Sequence, residues 1–188
     1  MNREMILEAS AQIIRQKGYH AASMQDIAKA VNLQKASLYH HFSSKQEILL
    51  ALLDQALDLL IERVSVVTSV DLPADEKLSQ AMRVYLGCLE EHAALASVLL
   101  LEHRSLTPEY HDRHIPRRDR FERLWRDLIQ KGMDSGVFHT VDPAMTARAL
   151  LGVMNWTITW YRPEGRYSSG QISDNFASLF LDGLRGSG

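Results

Sequence analysis

The sequence predicts an all-α fold of about nine helices, and three observations carry that expectation. Apolar residues recur three and four apart in segment after segment, as one face of a helix requires. No segment alternates apolar and polar with the period of two that a half-buried strand needs. Asn, Gly, Pro and short hydroxylated or acidic residues fall at the ends of the apolar stripes, where helices start and stop. At 188 residues the chain can bury about two-thirds of its unfolded surface, so folding needs neither a metal nor a disulfide. The single cysteine, Cys88, excludes an intramolecular disulfide and fits a reducing cytoplasm. No apolar run approaches about 18 residues, and no basic start leads into an apolar stretch and cleavage site. A soluble, cytoplasmic protein without a membrane partner is therefore expected.

Residues 2–17 carry Ile6, Leu7, Ala9, Ala11, Ile13 and Ile14 at helical intervals and close on Lys17 and Gly18, a stop signal. Tyr19 is expected to pack back on this helix. Ser23 with Asp26 forms a capping box in which Asp replaces the usual Glu or Gln, and Ile27, Ala28 and Val31 supply the stripe of a short second helix. Asn32 tolerates the left-handed conformation that a helix-to-helix corner demands, so the chain should turn there. Leu33 anchors the corner, Gln34 opens a third helix, and Leu38 with Phe42 forms its inner face. The outer face, Lys35, Ala36, Ser37, Tyr39 and His40, combines a cation, hydroxyls, a ring donor and a small residue. That set suits phosphates and the base edges of a major groove, although a solvated helix face would look the same. Ser44 caps the next helix, where Lys45 in the first turn opposes the helix dipole unless a phosphate lies nearby.

From Ser44 the fourth helix should run to about Val66 on a broad apolar band from Ile48 to Val64. Pro73 and turn residues break the pattern over 67–75, and a fifth helix follows from Asp75 to about His92. Another spans about 93–105. Thr107 and Pro108 start a further one, which Pro116 should interrupt before an amphipathic helix runs to Lys131, stopped by Gly132 or Gly136. Asp142 and Pro143 begin a helix to Tyr161 that has almost no polar face, and a last helix covers about 169–184.

The run L-Q-K-A-S-L-Y-H-H-F-S-S-K-Q-E-I-L-L and the preceding I-L-E-A-S-A-Q-I-I-R-Q-K-G-Y-H-A-A-S-M-Q-D-I-A-K-A-V resemble the helix-turn-helix of the tetracycline-repressor (TetR-type) transcription regulators. The resemblance covers roughly the first fifty residues almost without a gap. Two departures stand out: the family usually has Gly where Asn32 stands, and Ser or Thr where Gln34 stands. By this resemblance Ser23, Gln34, Lys35, Ala36, Ser37, Tyr39, His40 and Lys45 fall at or beside positions that contact DNA. It implies a three-helix DNA-binding domain over 1–50 and a helical effector-binding and dimerisation domain over 51–188. It implies also a homodimer through the last two helices on a palindromic double-stranded operator, its two readers about one DNA turn apart. The charge fits: residues 1–50 hold six Lys or Arg against four acids, so +2, while the whole chain is −2.

A regulator needs a signal. The run L-L-G-V-M-N-W-T-I-T-W-Y-R-P-E-G-R is similar to one in TetR-type repressors that answer acyl-coenzyme A thioesters. Arg120, Phe121, Leu124, Trp125, Trp156, Trp160 and Arg162 are the effector-site candidates, apolar groups for an acyl chain and guanidinium forks for phosphates. A lipophilic drug-like effector is the alternative. Core packing and surface ion pairs with Asp119, Glu122 and Asp127 account for the same residues without a ligand. No cofactor is implied. His111 and His114 stand three apart but without a Cys pair or an H-E-x-x-H arrangement, so surface histidines rather than metal ligands are expected. No nucleophile motif or phosphate loop occurs; an acyl-CoA thioesterase is the competing class, and a non-enzymatic regulator is the reading adopted.

Overall fold

The computed structural model describes residues 3–185. Among them the helices are α1 (Arg3–Lys17), α2 (Met24–Ala30), α3 (Lys35–His41), α4 (Lys45–Ser69), α5 (Ala74–Glu91), α6 (Ala93–Ser97), α7 (Pro108–Asp134), α8 (Pro143–Trp160) and α9 (Ser169–Arg185). No described residue is in a strand. The start expected at residue 2 lies outside the described residues.

The chain forms two compact units. The first joins residues up to Asp58 to His92–Arg117, and the second joins Leu59–Glu91 to Arg118 onward. In the first unit α2 packs on α1 and α3, and α6 packs on α1. Ile6, Ile14, Ile27, Leu38, Phe42, Ile48 and Leu49 form its solvent-free interior. In the second, α5 lies against α9. Arg185 bonds Asp75 at 2.6 Å, Arg83 pairs with Asp174, and Ser169 bonds Glu90, so the two helices run antiparallel.

Local chemistry explains the corners. Asn32 has φ 54° and is the non-glycine residue with a positive φ among those described. Its N–H donates to Lys29 O at 3.2 Å and that of Leu33 to Ala28 O at 2.8 Å, closing α2 with a Schellman motif. Gly136, φ 73°, closes α7 the same way, through Gly136 N to Met133 O and Val137 N to Gly132 O. Phe138 then folds back so closely that a Cβ on Gly132 would lie 2.1 Å from its ring. Helix propensity favours alanine over glycine by about 1 kcal/mol, but the buried ring leaves no room. Gly132→Ala is expected to lower stability by about 1–3 kcal/mol in urea melts, the range for overpacking.

Two stretches depart from expectation. Pro116 does not interrupt the chain: α7 runs unbroken through it. The neighbours of the proline are tied to α4 within the same unit, His114 Nδ1 lying 3.3 Å from Asp54 and Arg117 bonding Asp54 at 2.9 Å and Asp58 at 3.0 Å. These contacts offset the hydrogen bond that the ring removes. The segment expected as one helix over 93–105 instead passes from α6 into a π-helical turn, Val98–Glu102, and a 3₁₀ turn, His103–Ser105.

Candidate nucleic-acid interface and effector unit

Ser23 caps α2. Its Oγ accepts from Asp26 N at 3.1 Å while the Asp26 carboxylate accepts the Ser23 N–H at 3.0 Å. The Ser23 hydroxyl and then the Lys17 ammonium hold the Asp26 carboxyl well below the usual carboxylate range. Lys17 sits 3.0 Å from that carboxylate. The next helix, α3, turns Leu38 inward and leaves Gln34, Lys35, Ala36, Tyr39 and His40 exposed, with Ser37 half-buried. Gln34 is the N-cap residue of α3 but makes no capping bond with its side chain. That amide is free to reach outward, and so is Tyr39, 45 % exposed, with the Lys35 ammonium 5.9 Å from its ring. A cation, an amide and a phenol thus share one open face.

Lys45 is placed otherwise. Its ammonium donates to the carbonyls of Tyr19 at 2.9 Å, Ala22 at 2.8 Å and His20 at 3.4 Å, and lies 4.3 Å from the centre of the Tyr19 ring. All three donors of the ammonium therefore have acceptors in the turn ahead of α2. Tyr19 is buried and its N–H donates to Glu102 at 3.2 Å. Gln46, next along α4, donates to Ser105 O at 2.8 Å and accepts from Thr107 N at 3.0 Å. The segment 102–107 is thereby fastened to both ends of the helix-turn-helix.

The interior of the second unit is aromatic. Tyr85 stacks on Phe121 at 5.8 Å between ring centres and meets Trp125 edge-on at 5.9 Å. Tyr85 donates its hydroxyl hydrogen to Asn155 Oδ1. Burial pushes the Tyr85 phenol up well above its ordinary value. Beside this cluster a cleft of about 330 Å³ is walled by Leu72, Leu124, Leu128 and Val137, with Lys77 and Lys131 among its polar residues.

Residues 6–52 match the family of bacterial regulatory proteins called tetR, and residues 71–184 match the tetracyclin repressor-like C-terminal domain. The chain belongs to the TetR family. It is 27 % identical to the HTH-type transcriptional repressor KstR2 of Mycobacterium tuberculosis, over 97 % of this chain and 92 % of that protein. The TetR family regulator PfmR from Thermus thermophilus is 38 % identical, with a TM-score of 0.86 over 94 % of this chain and 96 % of that one. AibR in complex with isovaleryl coenzyme A and operator DNA is 30 % identical, with a TM-score of 0.87 over the same shares, 94 % and 96 %.

Within the TetR C-terminal match, the seven effector candidates do not share one cavity. Phe121 and Trp125 are core, Leu124 lines the cleft, and Arg120 is exposed. Trp156 and Trp160 are 66 % and 43 % exposed on the outer stripe of α8, and Arg162 beyond it bonds the Tyr161 carbonyl. Three arginines of α7 are ion-paired, Arg117 as above, Arg118 with Asp119 at 3.0 Å and Arg126 with Glu122 at 3.6 Å, while Arg120 and Arg123 are exposed. Tyr85, Asn155 and Lys77 join the candidate site although sequence reading did not select them. In a helix pattern Tyr85 is indistinguishable from any other inward residue, and Asn155 interrupts an apolar run without a motif.

Proposed function

We propose that the chain is a homodimeric transcriptional repressor that binds a palindromic operator through α2 and α3 and is released by an acyl-CoA thioester. The open face of α3, with Gln34, Lys35, Tyr39 and His40 outward over a buried Leu38, is the observation that carries the DNA-binding part. On this reading Gln34, Lys35, Ala36 and Tyr39 meet base edges, Ser37 and His40 meet phosphates, and Ser23 and Lys45 set the frame. The stripe of Met145, Val153, Trp156 and Trp160 on α8 with Leu179 on α9 is the face for the second copy. A cytoplasmic, non-enzymatic protein fits the family, and no single described helix is long and apolar enough to cross a membrane.

Likeness to AibR, whose solved complex holds isovaleryl coenzyme A, supports the effector class. In this chain the coenzyme's arm would run past Leu124 and Leu128 of the cleft and bring the acyl group to Phe121 and Trp125. Lys77 and Lys131 would meet coenzyme phosphates, since neither has an ion-pair partner among the described residues. Release follows from linkage: an effector lowers operator affinity only by its preference for the state that cannot bind DNA, and near-complete conversion needs about 5.5 kcal/mol. The segment 102–107 is the proposed route, because it grips Tyr19 and Gln46 from outside the helix-turn-helix.

Selection of an operator from random duplexes, followed by titration with acyl-CoAs, tests both halves. Gln34→Ala and Lys35→Ala are expected to relax base preference by about 1–3 kcal/mol at one or two positions of the selected site. A uniform loss across all sequences would show that these side chains touch backbone instead.

A further inference from the structure

Among the aromatic rings inside the second unit, Trp125 keeps its hydrogen-bond donor unused. Trp125 is wholly buried, and its Nε1–H has no partner among the described residues. The ring is hemmed by Tyr85 and by Phe121, whose centre lies 6.3 Å away. The neighbouring donor is already committed, because the Tyr85 hydroxyl serves Asn155 Oδ1. A buried donor left without an acceptor is disfavoured, and native interiors seldom retain one without a use for it. A second such group, Ser173 Oγ, is also wholly buried without a partner. The ion pair of Asp174 with Arg83 brings Ser173 level with the turn of α5 that carries Tyr85. Leu124 and Leu128, which wall the cleft, stand three residues beyond Phe121 and Trp125 on α7, one helical turn away.

We propose that the Trp125 indole N–H is the specificity-determining donor that reads the acyl carbonyl oxygen of the effector. The inference rests on the acyl-CoA reading above and sharpens it. Indole is a donor only, so it rewards an effector with an acceptor at that point and gives nothing to an ammonium or to a bare hydrocarbon. A thioester carries one carbonyl oxygen between an apolar body and a polar coenzyme. Phe121 and Tyr85 receive the apolar body, and Trp125 supplies the one directional contact. Sites built to bond a particular polar group discriminate strongly against analogues that lack it, since the buried partner is then stranded.

The test compares a thioester with its thioether, which replaces the carbonyl by a methylene and keeps the coenzyme and chain. Isovaleryl-, octanoyl- and palmitoyl-CoA are titrated calorimetrically into the full-length dimer, and the tightest is matched with its S-alkyl analogue. The parent is expected to bind the thioester about ten-fold more tightly than the thioether. Trp125→Phe is expected to bind both alike, near the affinity of the parent for the thioether. Equal binding of the two ligands by the parent, or undiminished discrimination by Trp125→Phe, overturns the role of Trp125 while leaving an acyl-CoA effector in place. Absence of binding by every thioester overturns the effector reading and the inference with it. A second measurement does not depend on how the variant folds. The Trp125 indole N–H resonance, assigned by removing the exposed Trp156 and Trp160 as phenylalanines, is expected to move downfield with thioester and not with thioether. An unmoved resonance in saturating thioester counts against the proposal.

Discussion

Trp156→Glu is expected to leave the protein monomeric at micromolar concentration and to weaken operator binding by about a hundred-fold or more. Trp156 is 66 % exposed and lies on one stripe of α8 with Met145, Val153 and Trp160, while Leu179 on α9 is 71 % exposed. Side chains of this size are seldom left to water in a contiguous run, and such a face marks an association surface. Gly152 and Gly183 have open space where a Cβ would stand, so the helices of two copies can approach closely there. A two-fold axis places each substitution in the interface twice, and two glutamates then lose their hydration together. Operator affinity falls because each half-site alone lacks the gain from tethering, which is about a hundred-fold to ten-thousand-fold. Sedimentation of the variant reads the first outcome and a mobility shift the second. A variant that stays dimeric would move the interface off this stripe.

Lys45→Ala is expected to destabilise the fold by about 2 kcal/mol, roughly 5 °C in melting temperature, and to leave the salt dependence of operator binding unchanged. From sequence alone, a lysine in the first turn of α4 asks for a phosphate, and its loss should flatten the salt slope by about one counterion. The observed geometry gives its three donors to the carbonyls of Tyr19, His20 and Ala22, so removal strands acceptors in the turn that aims α2. Operator affinity should fall modestly and equally at every salt concentration. A slope that flattens while the melting temperature holds would restore Lys45 to the phosphate backbone.

Features that depend on a few consecutive residues were legible in the sequence. The capping box of Ser23 and Asp26, the left-handed corner at Asn32 and the Asp142 cap ahead of Pro143 each act within one turn and stand where their residues predict, whereas the stop left open between Gly132 and Gly136 falls at Gly136, with α7 running on to Asp134. Features set by distant partners were not legible. Nothing near Pro116 announces that Asp54 and Asp58 will hold both sides of it. Nothing near Lys45 announces that its acceptors lie more than twenty residues upstream. The π-helical turn at Val98–Glu102 reads as ordinary helix because its apolar spacing fits either winding. In the second unit, aromatic residues at helical spacing gave the composition of the interior but not which polar atoms would pair there, Tyr85 with Asn155, and which would not, as with Trp125 Nε1.

The first compact unit is stitched from two separated stretches, because His92–Arg117 belongs with the residues up to Asp58. A graft that exchanges only the first fifty residues between relatives would therefore carry Tyr19 and Gln46 into a foreign host whose loops were never shaped to receive them. Chimeras made to swap operator preference should transplant both stretches together, and a hybrid holding only the leading one should bind its operator yet turn deaf to the inducer.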